Sequence, residues 1–385
     1  MSQSSVTCFE KQVSIGGNYR AAVSLHSHTH HSKESLQFIP QFAEKYPLLR
    51  WVLKRECGKS GIPVDFERAY WTPPLSAEMA LQVEREQIES KLGLESFVSL
   101  TDHDNIEAPT ILRALGDSKN VPIALEWSVP FSGSMFHVGV HNLPEASANE
   151  IVADLNAYTQ NPADKRLVEL IGSLNALPEV LVIFNHPLWD LAEVGEARHL
   201  RAIESFMDLA GRHVHALEIN ATRAWGENDK VRKLAERWQL PTVSGGDRHG
   251  CDASTALNLT NAQTFPEFVQ EIRADQRSHV LLMPQYAEPL CIRIMAMLLD
   301  VIREYPDHPI GTRRWDNRVY HPGKHTHEDR RLSTLWKAPP AFIEVVFSIF
   351  RLMENSAVRQ ALKQAMPKQA VNGRIASDVS YEATS

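Results

Sequence analysis

The 385-residue chain has only four cysteines, Cys8, Cys57, Cys251 and Cys291, widely scattered and without a CxxC pair. That scarcity excludes a disulfide framework and a thiolate metal cluster, and it points to a reducing, cytoplasmic setting. Long hydrophobic runs are also missing. The longest near the C-terminus, residues 341–352, is broken by Glu344 and falls short of the roughly 20 apolar residues a bilayer span needs. The N-terminal stretch MSQSSVTCFEKQVSIGGNYR lacks the apolar core of a secretory signal. No membrane partner is expected. Positive charge is in deficit: Lys and Arg number 40 against 47 Asp and Glu, a net charge of -7. A dedicated nucleic-acid scaffold would carry the opposite balance, whereas a small phosphorylated substrate needs only a few local cations. Internal repeats and low-complexity tracts are absent as well.

Histidine is abundant, with 17 residues, several of them clustered. It is the commonest metal ligand and the side chain that titrates nearest neutrality. Its placement follows a pattern. Short apolar runs, 21–25, 97–100, 121–125, 180–184, 214–219 and 241–244, each lead into polar residues: His26, Thr101-Asp-His-Asp104, Glu126, Asn185-His186, Asn220 and Gly245-Gly-Asp-Arg-His249. Each run has the length and β-branched content of a buried strand. Helical patterns lie between them over 76–92, 149–177 and 229–238. Strands alternating with helices imply a parallel sheet covered on both faces, in which function collects at the C-terminal strand ends. An α/β barrel is the expected architecture.

His26-Ser-His28 would place two imidazoles on one side of a strand. His103 stands between two carboxylates. Glu126 closes an apolar run, where a charge is costly unless paired or metal-bound. His137 and His141 lie in an apolar context, His186 precedes a proline, and Asp247 and His249 sit in a glycine-flanked turn. Nitrogen and oxygen donors without thiolate favour zinc, manganese or iron, and their number exceeds the four that one tetrahedral ion takes. Two or three divalent ions are therefore expected.

In order along the chain, HxH, TDHD, a strand-end Glu, a His in an HVG context, NHP and a final GxDxH resemble the PHP (polymerase and histidinol phosphatase) family of phosphoesterases over residues 20–255. The resemblance implies a distorted (β/α)7 barrel with a two- or three-metal centre. It implies one metal on His26, His28, Glu126 and Asp247, and a second bridged by Glu126 to His137 and His186. A third would use His103 and His249. Seven and eight residues after His26, where the family carries Asp or His, this chain has Lys33 and Glu34. Glu34 is the expected oxygen ligand there. Lys33, Arg223 and Arg248 are the expected substrate contacts.

The expected chemistry is hydrolysis of a phosphate ester, a monoester or a nucleotide-type substrate, by metal-activated water. His26, His28, His103, Glu126, His186, Asp247 and His249 would form the catalytic centre. Two other readings stand beside it: a metallohydrolase of another ester or of a C–N bond on a similar barrel, and a non-catalytic binding module. No strand-end lysine is available to bridge metals as a carbamate, which favours the phosphate ester reading. In domain terms, a barrel over 15–284 carries an aromatic and basic insertion at 35–75, either a lid or a small hydrophobic cluster. A helical appendage spans 285–370, with helical patterns at 290–304 and 341–365, and a disordered tail covers 371–385. A second HxH, His325 and His327, falls in polar surroundings and reads as a solvated loop.

Overall fold

The computed structural model describes residues 3–9, 18–37, 65–116, 120–309, 311–322, 329–334 and 355–366, with isolated residues between 39 and 55 and after 347. His325, His327, most of the 35–75 insertion, most of the 341–365 pattern and the tail from 376 lie outside the described residues.

Five of the six apolar runs carry strands: β2 (Ala21–Ser24), β5 (Glu95–Val98), β8 (Leu181–Asn185), β9 (Ala216–Asn220) and β10 (Thr242–Gly245). The run at 121–125 does not. Pro122 removes a donor from it, and the strand β6 (Leu125–Phe131) starts where the run stops, so Glu126 opens a strand rather than following one. A two-residue turn then reverses the chain into β7 (Ser134–His141). Its residues Ser132 and Gly133 both have positive φ, 51° and 82°, as a type I′ hairpin turn requires. The uniformly parallel sheet expected from the alternation is thus interrupted by an antiparallel hairpin. Three strands not expected from the sequence complete the main sheets: β1 (Gln3–Cys8), β11 (Ala256–Thr260) and β12 (Arg277–Leu282).

The strands form two five-stranded sheets, in the orders β1-β12-β11-β2-β5 and β10-β9-β8-β7-β6. Among the described residues no continuous ladder closes them into one barrel. They meet at two single-residue parallel bridges, Ser27 with Arg248 and His103 with Glu126. Both bridges lie just beyond the C-terminal ends of β2, β5 and β10, where the site residues begin.

Period-two alternation in β8 separates two cores. Leu181 and Ile183 face a core shared with Val23, Leu25, Ala216 and Val243 between the sheets. Val182 and Phe184 face an outer core with Trp127, Leu155, Leu167 and Phe206. Four helices supply that outer layer, Ala148–Gln160, Asp164–Ala176, Glu196–Ala210 and Trp225–Trp238. The first two were expected as one; Pro162 stands between them and cannot continue a helix interior. The 76–92 pattern forms Ala77–Glu86, capped by the Ser76 hydroxyl, then widens into a π turn, Gln87–Leu92, that ends at Gly93.

The appendage is not purely helical. After the helix Leu290–Ile302, the strand β13 (Val319–Pro322) pairs with β14 (Asp329–Arg331) on one side and with β4 (Tyr70–Trp71) on the other, and β4 pairs with β3 (Glu34–Ser35). The end of the insertion and the appendage therefore share a small cap sheet. Arg318, buried beneath it, donates to the carbonyls of Val301, Arg303, Thr312 and Arg313 and ties the polar 313–331 stretch to the helix. Among the described residues no helix is long and apolar enough to cross a membrane.

Candidate metal centre

All nine side chains expected as ligands converge at the end of the molecule where the two sheets meet. His26 and His28 do not get there by strand alternation, because β2 stops at Ser24. Alternation would send His26 outward with Ser24, but a left-handed φ of 62° turns it inward. His186 and Asp247 also have positive φ, 26° and 47°. Non-glycine residues in that region are uncommon and persist where their surroundings over-determine them.

Glu126 is the hub. Its Oε2 lies 3.0 Å from His26 Nε2, 3.4 Å from His28 Nε2 and 3.5 Å from His103 Nδ1. Its Oε1 lies 3.2 Å from His137 Nδ1 and 3.1 Å from His186 Nε2, whose nitrogens are 3.4 Å apart. Asp247 Oδ1 completes the first set at 3.7 Å from His26 and 3.6 Å from His28. A third set gathers on Glu34 Oε2, 3.4 Å from His103 Nε2 and 3.2 Å from His249 Nε2.

These separations suit a divalent cation. Two ligands each about 2.1 Å from a tetrahedral ion stand roughly 3.4 Å apart, close to the spacing within all three sets. Buried His26 Nε2, His28 Nε2 and His103 Nδ1 have no hydrogen-bond partner, which is costly for a polar atom unless a cation takes its lone pair. Four overlapping groups of these residues have ligand atoms mutually within 4.8 Å.

The electrostatics follow from the mixture of buried acids and imidazoles. Burial alone would raise the Glu126 carboxyl, but the imidazoles of His26, His137 and His103 outweigh it and hold it well below the usual carboxylate range. Asp247 and Glu34 are held down in the same way by their histidines. Burial and the neighbouring His249 push His28 down to about 3. Against burial, Glu126 and Glu218 raise His26, and Glu34 raises His249 and, with Glu126, lifts His103 to about 10, so a divalent cation would take the place of those protons among the ionised oxygens.

Around the ligands, Asn185 Nδ2 donates to Glu126 Oε1 at 2.9 Å. Thr222 and Asn220 donate to Asp247 Oδ2 at 2.9 and 3.2 Å. Thr29 holds Asp102 through its N–H and hydroxyl. Gly139 is required for closeness: a Cβ there would stand 2.8 Å from Asn185 Oδ1 and 2.9 Å from His141 Nε2. His141 itself belongs to none of the ligand groups; it is buried against the Ser99 hydroxyl at 2.8 Å.

No protein-family model matches the chain, and no match was found among curated proteins. Among solved structures the chain is similar to PsfC from Pseudomonas syringae, at 15% identity and TM-score 0.42, over 73% of this chain and 97% of that one. It is similar to an amidohydrolase from Chromobacterium violaceum solved with sulfate and no metal, at 13% and 0.35, over 60% and 89%. A protein from Bifidobacterium adolescentis provisionally named a metal-dependent phosphoesterase matches at 11% and 0.34, over 66% and 95%. Likenesses this slight carry no functional assignment, which rests on the site itself.

The three expected substrate contacts are placed differently from one another. The Arg223 guanidinium lies 3.7 Å above the Trp189 ring, and Trp189 packs against His186 with ring centroids 5.0 Å apart. Arg223 thus stands at the edge of the ligand cluster. Arg248 is buried and committed elsewhere, to Glu84 at 3.0 Å and to the carbonyls of Gly250 and His28. Lys33 is exposed and turns to the cap, 3.4 Å from Asp329 and over the Tyr70 ring.

Two buried acids were not singled out from the sequence. Glu84, fully enclosed, receives Arg248, Ser24, Ser27 and the Ser254 N–H. Within the amphipathic 76–92 pattern nothing marks it. Glu218 accepts from His26 and from the His186 N–H. Its signal was readable: an acid inside the apolar run 214–219 is as expensive as Glu126.

Proposed function

We propose that the chain is a metal-dependent phosphoesterase, on a distorted seven-stranded barrel of the PHP type, that hydrolyses a phosphate ester of a small molecule. The reading of the fold is supported by the ring β2, β5, β6, β7, β8, β9, β10, joined through the bridges at Ser27–Arg248 and His103–Glu126. The observation that carries the function is the Glu126 carboxylate, whose two oxygens face two separate sets of imidazoles. A bridging carboxylate is the arrangement a two-metal site uses to hold both ions over one phosphoryl group.

His26, His28, Glu126 and Asp247 would hold one ion, Glu126, His137 and His186 a second, and Glu34, His103 and His249 a third, with zinc, manganese or iron fitting the donors. When bound, such ions supply Lewis acidity to phosphoryl oxygens and acidify the attacking water. The chain's own residues do the rest. Asn185, Asn220 and Thr222 fix the carboxylates; Trp189 walls one side of the centre. Arg223, held flat on that indole, is the cation aimed at the phosphate's remaining charge, which builds up in the transition state. The substrate class follows: a small phosphomonoester or nucleotide, bound without a basic nucleic-acid surface. Among the described residues Cys8, Cys251 and Cys291 form no disulfide, which fits action in the cytoplasm.

Manganese- or zinc-loaded protein is expected to hydrolyse p-nitrophenyl phosphate, its bis-ester or nucleoside monophosphates. Arg223→Ala should raise KM by roughly 10- to 100-fold, the worth of a charge-assisted contact, at unchanged metal content. Metal-loaded protein inert to every phosphate ester but active on C–N or carboxylic ester substrates would replace this reading with the other hydrolase class. Protein that takes up no metal would leave only a binding module.

A further inference from the structure

Two carboxylates touch the His26 imidazole from opposite sides. Glu126 faces its inward nitrogen Nε2. Glu218 lies behind the ring, and its contacts have a different character. Its Oε1 is 2.5 Å from His26 Nδ1, the ring nitrogen turned away from the ligand set. Its Oε2 accepts the His186 N–H at 2.8 Å, at the residue whose φ is 26°. The same oxygen receives Asn220 Nδ2 at 3.0 Å, and that amide also reaches Asp247 Oδ2 at 3.2 Å.

From this arrangement we infer that Glu218 is a positioning residue for the metal centre, setting three ligands at once: the tautomer of His26, the backbone turn that aims His186, and, through Asn220, the Asp247 carboxylate. The inference rests on the reading of the cluster as a metal centre. An ionised carboxylate only accepts, so the proton between it and His26 belongs on Nδ1, which leaves the Nε2 lone pair directed at the first ligand set. At His186 the accepted N–H secures a left-handed backbone that a non-glycine residue adopts only under constraint.

The neighbouring strand is built around this carboxylate. A Cβ at Gly245 would stand 1.5 Å from Glu218 Oε1 and 3.0 Å from His26 Cβ. Gly245 is therefore glycine because Glu218 occupies the space a side chain would need, and the two positions form one device on adjacent strands, β9 and β10. Glu218 touches none of the ligand nitrogens facing Glu126, so its part is to orient, not to coordinate.

The test uses the full chain and zinc as probe. Glu218→Gln keeps the shape, but its amide can accept only through one oxygen and presents a donor to the other site. Zinc affinity, measured by chelator competition, is expected to fall roughly 10- to 100-fold, the usual consequence of losing such an outer partner. Gly245→Ala should weaken zinc binding in the same direction by displacing the same carboxylate. In 15N-histidine spectra of the zinc-loaded wild type, His26 should carry its proton on Nδ1, and in Glu218→Gln that signal should shift or broaden into mixed tautomers. These spectra and Gly245→Ala decide the matter if Glu218→Gln does not fold. Zinc affinity within twofold of wild type in the variants, or a wild-type His26 protonated on Nε2, would overturn the inference alone. A wild type that takes up no zinc would overturn the metal reading and this inference with it.

Discussion

Glu126→Gln removes one negative charge from the point where five imidazoles meet and keeps the side chain's shape. Its orientation can be worked out. Asn185 Nδ2 donates to Oε1, so the amide oxygen stays there and the NH2 takes the place of Oε2. That donor then confronts His26 Nε2, His28 Nε2 and His103 Nδ1, at 3.0, 3.4 and 3.5 Å from the atom it replaces. The first ligand set loses its bridging oxygen and gains a group that repels a cation. Breaking a buried charged set by removing one partner costs about 3–5 kcal/mol, which is roughly two to three and a half decades in metal affinity at about 1.4 kcal/mol per decade. Metal content after gel filtration, measured by inductively coupled plasma mass spectrometry, should fall by at least one ion per chain. Phosphate ester hydrolysis should fall with it, and the thermal midpoint by several degrees. A variant with full metal content and wild-type affinity would refute the idea that Glu126 bridges.

Two further expectations concern the frame around the site. Arg248→Ala strands the Glu84 carboxylate in the interior and should cost about 3–5 kcal/mol in denaturant unfolding, with part of that recovered when Glu84→Gln is added; additive losses would show the pair to be independent. His215 accepts the Val182 N–H on Nδ1 at 2.9 Å and meets Asn175 Oδ1 at 2.8 Å, and burial with Arg273 nearby pushes it down to about 3. The unfolded chain takes that proton near 6.5. This contribution is present above pH 6.5 and is lost as pH falls toward 3, by up to roughly 2 kcal/mol at pH 5. His215→Gln should flatten the stability profile between pH 6.5 and 5, and an unchanged slope would remove His215 as its source.

Much of the site was legible in the residue order because ligand chemistry restricts residue type. Histidines and acids directly after apolar runs are expensive without a partner, and that cost is visible in one dimension at His26, His103, Glu126, His186, Asp247 and His249. Strands were legible for the same reason: their buried faces need continuous β-branched runs. The hairpin at Ser132-Gly133 was less so, because its turn pair is weaker than Asn-Gly and the Val121–Leu125 run imitated a strand. Neither β1, β11 and β12 nor the split at Pro162 stood out among the longer patterns.

Only the tertiary structure could separate the three expected cations, leaving Arg223 at the rim, burying Arg248 against Glu84 and turning Lys33 to the cap. An arginine looks the same in sequence whether its charge meets substrate or an internal acid, since the difference lies in what folds against it. The cap sheet seats Trp71 between Glu34 and Val319, and its pairing of insertion with appendage joins edges nearly 250 positions apart in the chain. Which residue types were present, and after which runs, was settled locally by the cost of burying charge. Which nitrogen faces which oxygen was settled by left-handed turns, a glycine beside a glutamate and two sheets meeting at their ends, and these are relations between distant segments that no local stretch contains.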